Sequence, residues 1–339
     1  MIATAIALLL LLVYFGGCLG NLSNSENGTN SGKTNMQTNG KNPIDKTHSD
    51  NNTTNTTNSP DDKRNDKNGS NDGTNSVDNL PNKWAIMCSI CNEKYTAEGI
   101  ELDYMPALEA LKSLGFPDEH VIRLENLSLK KSKMIEALGY VKKNSCNFAN
   151  ATVVLYMVVH GSCRDEVGTN GKVLHSYIEI YAEDADKPAN ENGDWKSAML
   201  YDYELKEMLA DFNPGTFLFI TVACQSGCMA GQDTIGKLNG LADPLFDSLG
   251  APNRIVITAS TAPLFTAGGV LGRGFWKYGL EQGGGDSAPI GNGDGKTSVE
   301  EAFYYCKIRS NVGGVITASS QPCMNDQYPA DNPEGEMFL

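Results

Sequence analysis

The chain has 339 residues, with 41 Asp and Glu against 27 Lys and Arg, and a formal net charge of −14. That balance excludes a nucleic-acid binder of the ordinary kind, whose affinity rests on a basic face. Any imidazole chemistry must come from His48, His120, His160 or His175, the four histidines of the chain.

Residues 2 to 17, IATAIALLLLLVYFGG, carry no charge and are almost wholly apolar. The run is short against the roughly 20 residues of a membrane span and fits the apolar core of a secretion signal. Cys18 follows Gly16 and Gly17. A cysteine after an apolar run and small residues resembles a prokaryotic lipoprotein processing site, although Phe15 stands where a branched aliphatic is usual. Residues 1 to 20 are therefore expected to be a signal peptide or a membrane or lipid anchor, with Cys18 the lipidation position. An uncleaved signal-anchor with a buried thiol is the bland alternative. Either leaves the rest of the chain outside the membrane, extracellular or at the cell surface of a prokaryote.

Residues 21 to 80 are of another kind: 32 of these 60 are Asn, Ser or Thr. Too little apolar surface is present to offset ordering entropy, so a disordered stalk is expected. It holds acceptor triplets for N-glycosylation at Asn21, Asn27, Asn51, Asn52, Asn55 and Asn68. Residues 81 to 339 then form one domain with 33 acidic and 21 basic residues, so the acidity belongs to the domain.

The domain reads as alternating strands and helices. Lys83-Trp-Ala-Ile-Met-Cys88 predicts a first strand, and Tyr104 to Leu114 a helix ending at Gly115. Val121 to Leu124 predicts a short strand. Lys130 to Val141 predicts an amphipathic helix with Met134, Ile135, Leu138 and Val141 on one face. Thr152 to Val159, Thr216 to Val222 and Arg254 to Ala259 are apolar almost throughout, as in strands covered on both faces of a parallel sheet. Tyr203 to Leu209 predicts a helix between the first two. In such sheets reactive groups collect at the carboxyl ends of the strands.

The chemistry-bearing residues are at those ends. The first apolar strand runs into His160-Gly161-Ser162 and the second into Ala223-Cys224-Gln225-Ser226-Gly227. Side by side, these supply what a thiol nucleophile needs: a thiolate and an imidazole to take its proton. The Gly161 and Cys224 N–H groups are the candidate oxyanion donors. Gly227 is expected to let the chain turn sharply after the nucleophile. Each motif alone has a bland reading, a buried small hydrophobe for the Cys and a turn for His-Gly.

Together, an apolar strand with His-Gly and an apolar strand with Ala-Cys-x-Ser-Gly resemble the caspase-like clan of cysteine peptidases, and Ala-Cys-Gln-Ser-Gly looks most like its legumain branch. The resemblance extends over roughly residues 83 to 306, including Ile257-Thr-Ala-Ser260. It implies an α/β fold, a three-layer α/β/α sandwich with a mostly parallel central sheet. It also implies a cysteine endopeptidase with a His160/Cys224 dyad, an acyl-enzyme, and neither cofactor nor metal in the chemistry. Legumains and metacaspases carry an acidic residue two positions before the nucleophile. Val222 stands there in this chain, so no preference for Asn or for Arg and Lys carries over. Ser260 and Thr261, after the next strand, are the expected substrate-binding edge.

The expected partners are protein or peptide substrates, no nucleic acid, and a membrane only through the amino-terminal anchor. The rival reading is a catalytically inactive surface binding or adhesion module of the same fold. It has no use for a reactive thiol outside the cell. Cys88-Ser-Ile-Cys91 suits a redox pair, half a zinc site or disulfide partners. Export would favour disulfides among Cys88, Cys91, Cys146, Cys163, Cys228, Cys306 and Cys323. Residues 286 to 301 contain Asn292-Gly-Asp294-Gly295, Ser298 and Glu301, which resemble the second half of a calcium loop. Its first ligand position would be Ile290, so a turn and a Ser298/Glu301 capping box are expected instead. His120 and His175 read as surface histidines. The long stretch from Cys163 to Trp195 reads as a loop, a site for activating cleavage or a wall of the substrate groove.

Overall fold

The apolar runs become the interior of a six-stranded sheet. The computed structural model describes residues 81–90, 99–168, 171–184, 198–231, 249–262, 264–266, 268–312, 320–332 and 335–339, with the backbone alone at 165–168, 171–173 and 310–312. No helix among the described residues is long and apolar enough to cross a membrane. The strands are β1 (Lys83–Ser89), β2 (Val121–Glu125), β3 (Thr152–Val158), β7 (Thr216–Val222), β8 (Arg254–Thr258) and β9 (Cys323–Asp326), in the order β2-β1-β3-β7-β8-β9. The first five run parallel and β9 pairs antiparallel to β8. A second, antiparallel sheet joins β4 (Gly161–Gly168), β5 (Gly171–Glu179) and β6 (Met199–Tyr201).

Successive side chains of a strand point to opposite faces, and both faces here are covered. Val153, Leu155 and Met157 of β3, with Phe217 and Phe219 of β7, pack with α2 (Lys131–Asn144) and α3 (Asp202–Met208). Val154 and Tyr156 of β3, with Leu218, Ile220 and Val222 of β7, pack with α1 (Met105–Ser113), the wide π-helix Val270–Glu281 and α4 (Val299–Val312). That is the expected three-layer α/β/α sandwich, and it explains why these strands lack polar alternation. Burial of each large side chain, such as Trp276, Tyr156, Phe217 or Phe219, contributes about 1.5–3 kcal/mol.

The local signals work as elementary chemistry dictates. Pro106 opens α1, and Gly115 at φ 81° follows its end, the left-handed stop that glycine adopts without strain. On α2 the core face is Met134, Ala137, Leu138 and Val141. Ile135 is exposed; spacing of three and four puts Ala137 on the stripe and turns Ile135 outward. The π-helix is anchored at its start by Asp103, whose carboxylate accepts the Gly269 and Gly272 N–H groups at 2.8 and 2.9 Å. Burial pushes that carboxyl up to about 6, against the pull of those two donors and of Arg273.

The β4–β5 hairpin, β6, the π-helix and β9 were not expected. The stretch after Cys163 is largely the β4–β5 hairpin rather than a loop, up to Asp184; residues 185–197 lie outside the described residues. The π-helix and β9 also lacked a clear periodic signal.

Candidate functional site

The register of the central strands sets the site. Val158 of β3 and Val222 of β7 are partners, and the Val159 N–H donates to the Val222 carbonyl at 3.1 Å. His160 and Cys224 each stand two residues beyond that pair, so neighbouring parallel strands deliver both to one sheet edge. His160 is exposed and Cys224 half-buried. The two motifs touch through Gly161: a Cβ there would lie 3.1 Å from the Cys224 carbonyl oxygen, 3.0 Å from the Ala223 Cβ and 2.8 Å from the Tyr177 carbonyl oxygen. The Glu179 N–H donates to the His160 carbonyl at 2.9 Å. That bond flanks the first pair of the hairpin register, Gly161 and Ile178, and makes it a non-bonded pair. At such a position the N–H points away from the partner strand, leaving the Gly161 N–H directed away from β5.

The turn carrying Cys224 is fixed on both sides. The Ala223 carbonyl accepts Ser226 Oγ at 2.8 Å and Ser260 Oγ at 3.2 Å. Gln225 holds φ at 54°, a left-handed conformation uncommon outside Gly, Asn and Asp. Its N–H donates to the Leu264 carbonyl at 2.8 Å, and its carbonyl accepts Ser176 Oγ at 2.6 Å. Its side-chain Oε1 accepts Ser162 Oγ at 2.6 Å and the Cys163 N–H at 3.2 Å. One side chain therefore ties the residue after Cys224 to the two residues after Gly161. The Thr266 N–H points at Cys224 Sγ at 3.4 Å, and a donor on sulfur favours the thiolate.

Glu179 is the carboxyl group that interacts electrostatically with His160. Burial pushes its carboxyl above the usual carboxylate range, and the neighbouring His160 works against that push. An imidazole–carboxylate pair also joins the hairpin to α3. His175 Nδ1 is 2.8 Å from Asp202 Oδ1, and Asp202 Oδ2 accepts the Ser176 N–H at 2.9 Å. Asp202 is buried and its carboxyl is pushed up to about 6 by burial, with His175 opposing. His175 is thus largely enclosed, not a surface histidine. His120 stacks on Trp84 with ring centroids 3.8 Å apart.

The remaining sequence readings fall as follows. Ser260 and Thr261 are both 0% exposed. Ser260 supports the Ala223 carbonyl, Thr261 Oγ1 is buried without a partner, and neither side chain reaches a substrate surface. Gly227 is needed for a different reason from a sharp turn: a Cβ would lie 2.4 Å from Ala262 N and 2.7 Å from the Thr261 carbonyl carbon. The positive φ falls on Gln225 instead. Val222 is buried in the sheet. Cys88, Cys146, Cys163, Cys228, Cys306 and Cys323 carry thiols, so the expected disulfides do not form among them. Cys88 and Cys306 pack on opposite faces of the sheet, and burial pushes both thiols up. Ser298 and Glu301 make the capping box: the Ser298 N–H donates to Glu301 Oε2 at 3.0 Å and the Glu301 N–H to Ser298 Oγ at 3.1 Å. Glu301 Oε1 is also occupied, by the Asn292 N–H at 2.8 Å. Among the described residues no group of three or more His, Cys, Asp and Glu is placed to hold a metal ion. Cys18, His48, Cys91 and the glycosylation triplets lie outside the described residues.

No family model and no curated protein sequence matches the chain. Among solved structures, it is similar to caspase-1 of Spodoptera frugiperda, with 14% identity, a TM-score of 0.44 and coverage of 73% of this chain and 87% of that one. It is also similar to a protein of Geobacter sulfurreducens, with 17% identity, a TM-score of 0.43 and coverage of 72% and 92%.

Sequence reasoning missed Glu179, Gln225, Ser176 and Thr266. Gln225 stood inside the motif, but no composition rule places a glutamine in the left-handed region. Glu179 is 19 positions after His160 in the chain, and only the hairpin register makes them neighbours.

Proposed function

We propose that the chain is a cysteine endopeptidase acting through Cys224 and His160. One observation carries the reading: β3 and β7 end in His160-Gly161 and Cys224 at the same register, with Gly161 packed on the Cys224 backbone. Cys224 Sγ, as thiolate, attacks the peptide carbonyl carbon. The Gly161 and Cys224 N–H groups hold the resulting oxyanion. Imidazolium His160 gives its proton to the leaving amine as the C–N bond breaks, which leaves an acyl-thioester. Water then attacks the thioester, His160 takes its proton, and the thiolate returns with the carboxylic acid released. An amine in place of water would give transpeptidation.

The apolar run before Cys18 and the Asn-rich stretch after it support export and tethering at the cell surface, with lipid on Cys18 as the anchor. The test of the chemistry is labelling of the full chain by a peptidyl electrophile. The parent is expected to be labelled on Cys224, His160→Ala weakly and Cys224→Ala not at all. An unlabelled parent, or a Cys224→Ala variant labelled equally, leaves the inactive binding module as the reading.

A further inference from the structure

A half-buried carboxylate whose charge is disfavoured by its surroundings is a cost to folding, and such groups persist where they serve a site. Glu179 is one. The core side of β5 is filled by Ile178, with Ile180 just beyond the strand, both fully buried. Strand alternation turns Glu179 to the other side. There it stands across from His160, one position past the first register pair Gly161–Ile178, joined by the 2.9 Å backbone bond from its N–H to the His160 carbonyl. Side chains of directly opposed residues share a face, with Cβ atoms about 4.5–5.5 Å apart. His160 is exposed and Glu179 half-buried, so the fold shields the carboxylate more than the ring.

We propose that Glu179 is the positioning residue for His160, its carboxylate orienting the imidazole and balancing the imidazolium formed when the Cys224 thiol ionises. The chain then works as a Cys224–His160–Glu179 triad, with Glu179 acting only through the histidine. The hairpin is the device that delivers it, since its first register pair, Gly161 and Ile178, lies one residue after His160 and one before Glu179. Glu179 forms and breaks no covalent bond and keeps its own proton count: the proton from Sγ rests on the imidazole, and the carboxylate supplies charge. This assignment deepens the peptidase reading and rests on it.

The test reads the thiol without needing peptide turnover. In the full chain at neutral pH, iodoacetamide alkylation of Cys224 is followed by mass spectrometry of the Cys224 peptide. Compared are the parent, Glu179→Gln, Glu179→Asp, His160→Ala and the His160→Ala/Glu179→Gln pair. Glu179→Gln keeps shape and loses charge, and is expected to slow alkylation roughly tenfold with an unchanged or higher melting temperature. Glu179→Asp is expected to recover most of that loss. In the His160→Ala background, Glu179→Gln is expected to cost nothing further. Equal rates for the parent and Glu179→Gln overturn the proposal, as does an undiminished effect of Gln without the imidazole. An equal loss in Gln and Asp together with a lower melting temperature also overturns it, in favour of packing. A parent that no peptidyl electrophile labels counts against the peptidase reading alone, because the iodoacetamide series still reports the pair.

Discussion

Gly161 tests the site and its scaffold at once. Gly161→Ala places a Cβ 2.8 Å from the Tyr177 carbonyl oxygen, 3.0 Å from the Ala223 Cβ and 3.1 Å from the Cys224 carbonyl oxygen. Comfortable carbon contacts lie near 3.5–4.0 Å, so the alanine needs roughly 0.5 Å of movement. Two of the three neighbours are backbone carbonyls, and the Ala223 carbonyl of the same turn is already held by Ser226 and Ser260. Nothing there yields as a flexible side chain would. Overpacking of this kind costs about 1–3 kcal/mol, a melting temperature lower by roughly 3–10 °C in a domain of this size. The same movement displaces the Gly161 N–H from Cys224. Loss of one oxyanion donor lowers acylation by about 100- to 1,000-fold. Thermal melting reads the first effect, and the rate of labelling by a peptidyl electrophile reads the second. An alanine variant as stable as the parent refutes the steric argument. A destabilised variant that labels at the parental rate refutes the role of the Gly161 N–H.

Gly227→Ala meets the backbone of Thr261 and Ala262 at 2.4–2.8 Å, so it is expected to destabilise more than Gly161→Ala; the order of the two denaturation midpoints checks this. Arg254, buried at the carboxyl end of α3, donates to the Leu249, Leu209 and Phe212 carbonyls at 2.7, 3.2 and 3.3 Å. Arg254→Met removes all three donations, with only the Leu209 carbonyl shown keeping another donor, the Phe212 N–H at 3.2 Å, and is expected to cost roughly 3 kcal/mol or more in urea unfolding, with a near-neutral result counting against it. Burial raises Asp103 to about 6, Asp202 to about 6 and Glu300 to about 7. The folded chain therefore holds protons that the unfolded chain releases, and stability falls as pH rises from about 4 to 7. Asp103 alone, raised to about 6 from an ordinary 3.8, accounts for about 3 kcal/mol of that fall. Urea midpoints at pH 5 and pH 8 should show the drop, and Asp103→Asn should flatten it; a midpoint that rises with pH contradicts the burial argument.

What the sequence makes legible follows from the range of the interactions involved. β3 and β7 are read to within a residue because two-sided burial leaves a mark on every position from Thr152 to Val158 and from Thr216 to Val222. α2 is legible as an element, yet one face residue is misread. Ile135 is apolar but out of phase, and Ala137 takes its place because a methyl suffices where the helix lies close to the sheet. The hairpin is illegible for the opposite reason. Its side at Tyr177 and Glu179 is only partly covered and its core side is held by Ser176 and Ile178, so neither strict alternation nor an apolar run announces it.

The same distinction separates the parts of the site. His160 and Cys224 each end an apolar strand, so each is marked by its own neighbours, and parallel pairing at one register then converts two local marks into a single edge. Glu179, Gln225 and Ser176 are marked only by what they touch. Ser176 Oγ reaches the Gln225 carbonyl across 49 residues of chain, and Gln225 Oε1 reaches Ser162 across 63. These contacts hold the turn in which Cys224 lies. Removing a serine hydroxyl at Ser176 should therefore loosen Gln225 and lower Cys224 reactivity without touching the thiol. Ser176→Ala is expected to slow labelling about tenfold, the cost of one buried hydrogen bond of about 1–1.5 kcal/mol, while Ser176→Thr, which keeps the hydroxyl, retains more of the rate. Equal rates in the parent and Ser176→Ala would mean that the turn is held without the hairpin, and that β5 covers the site rather than shaping it.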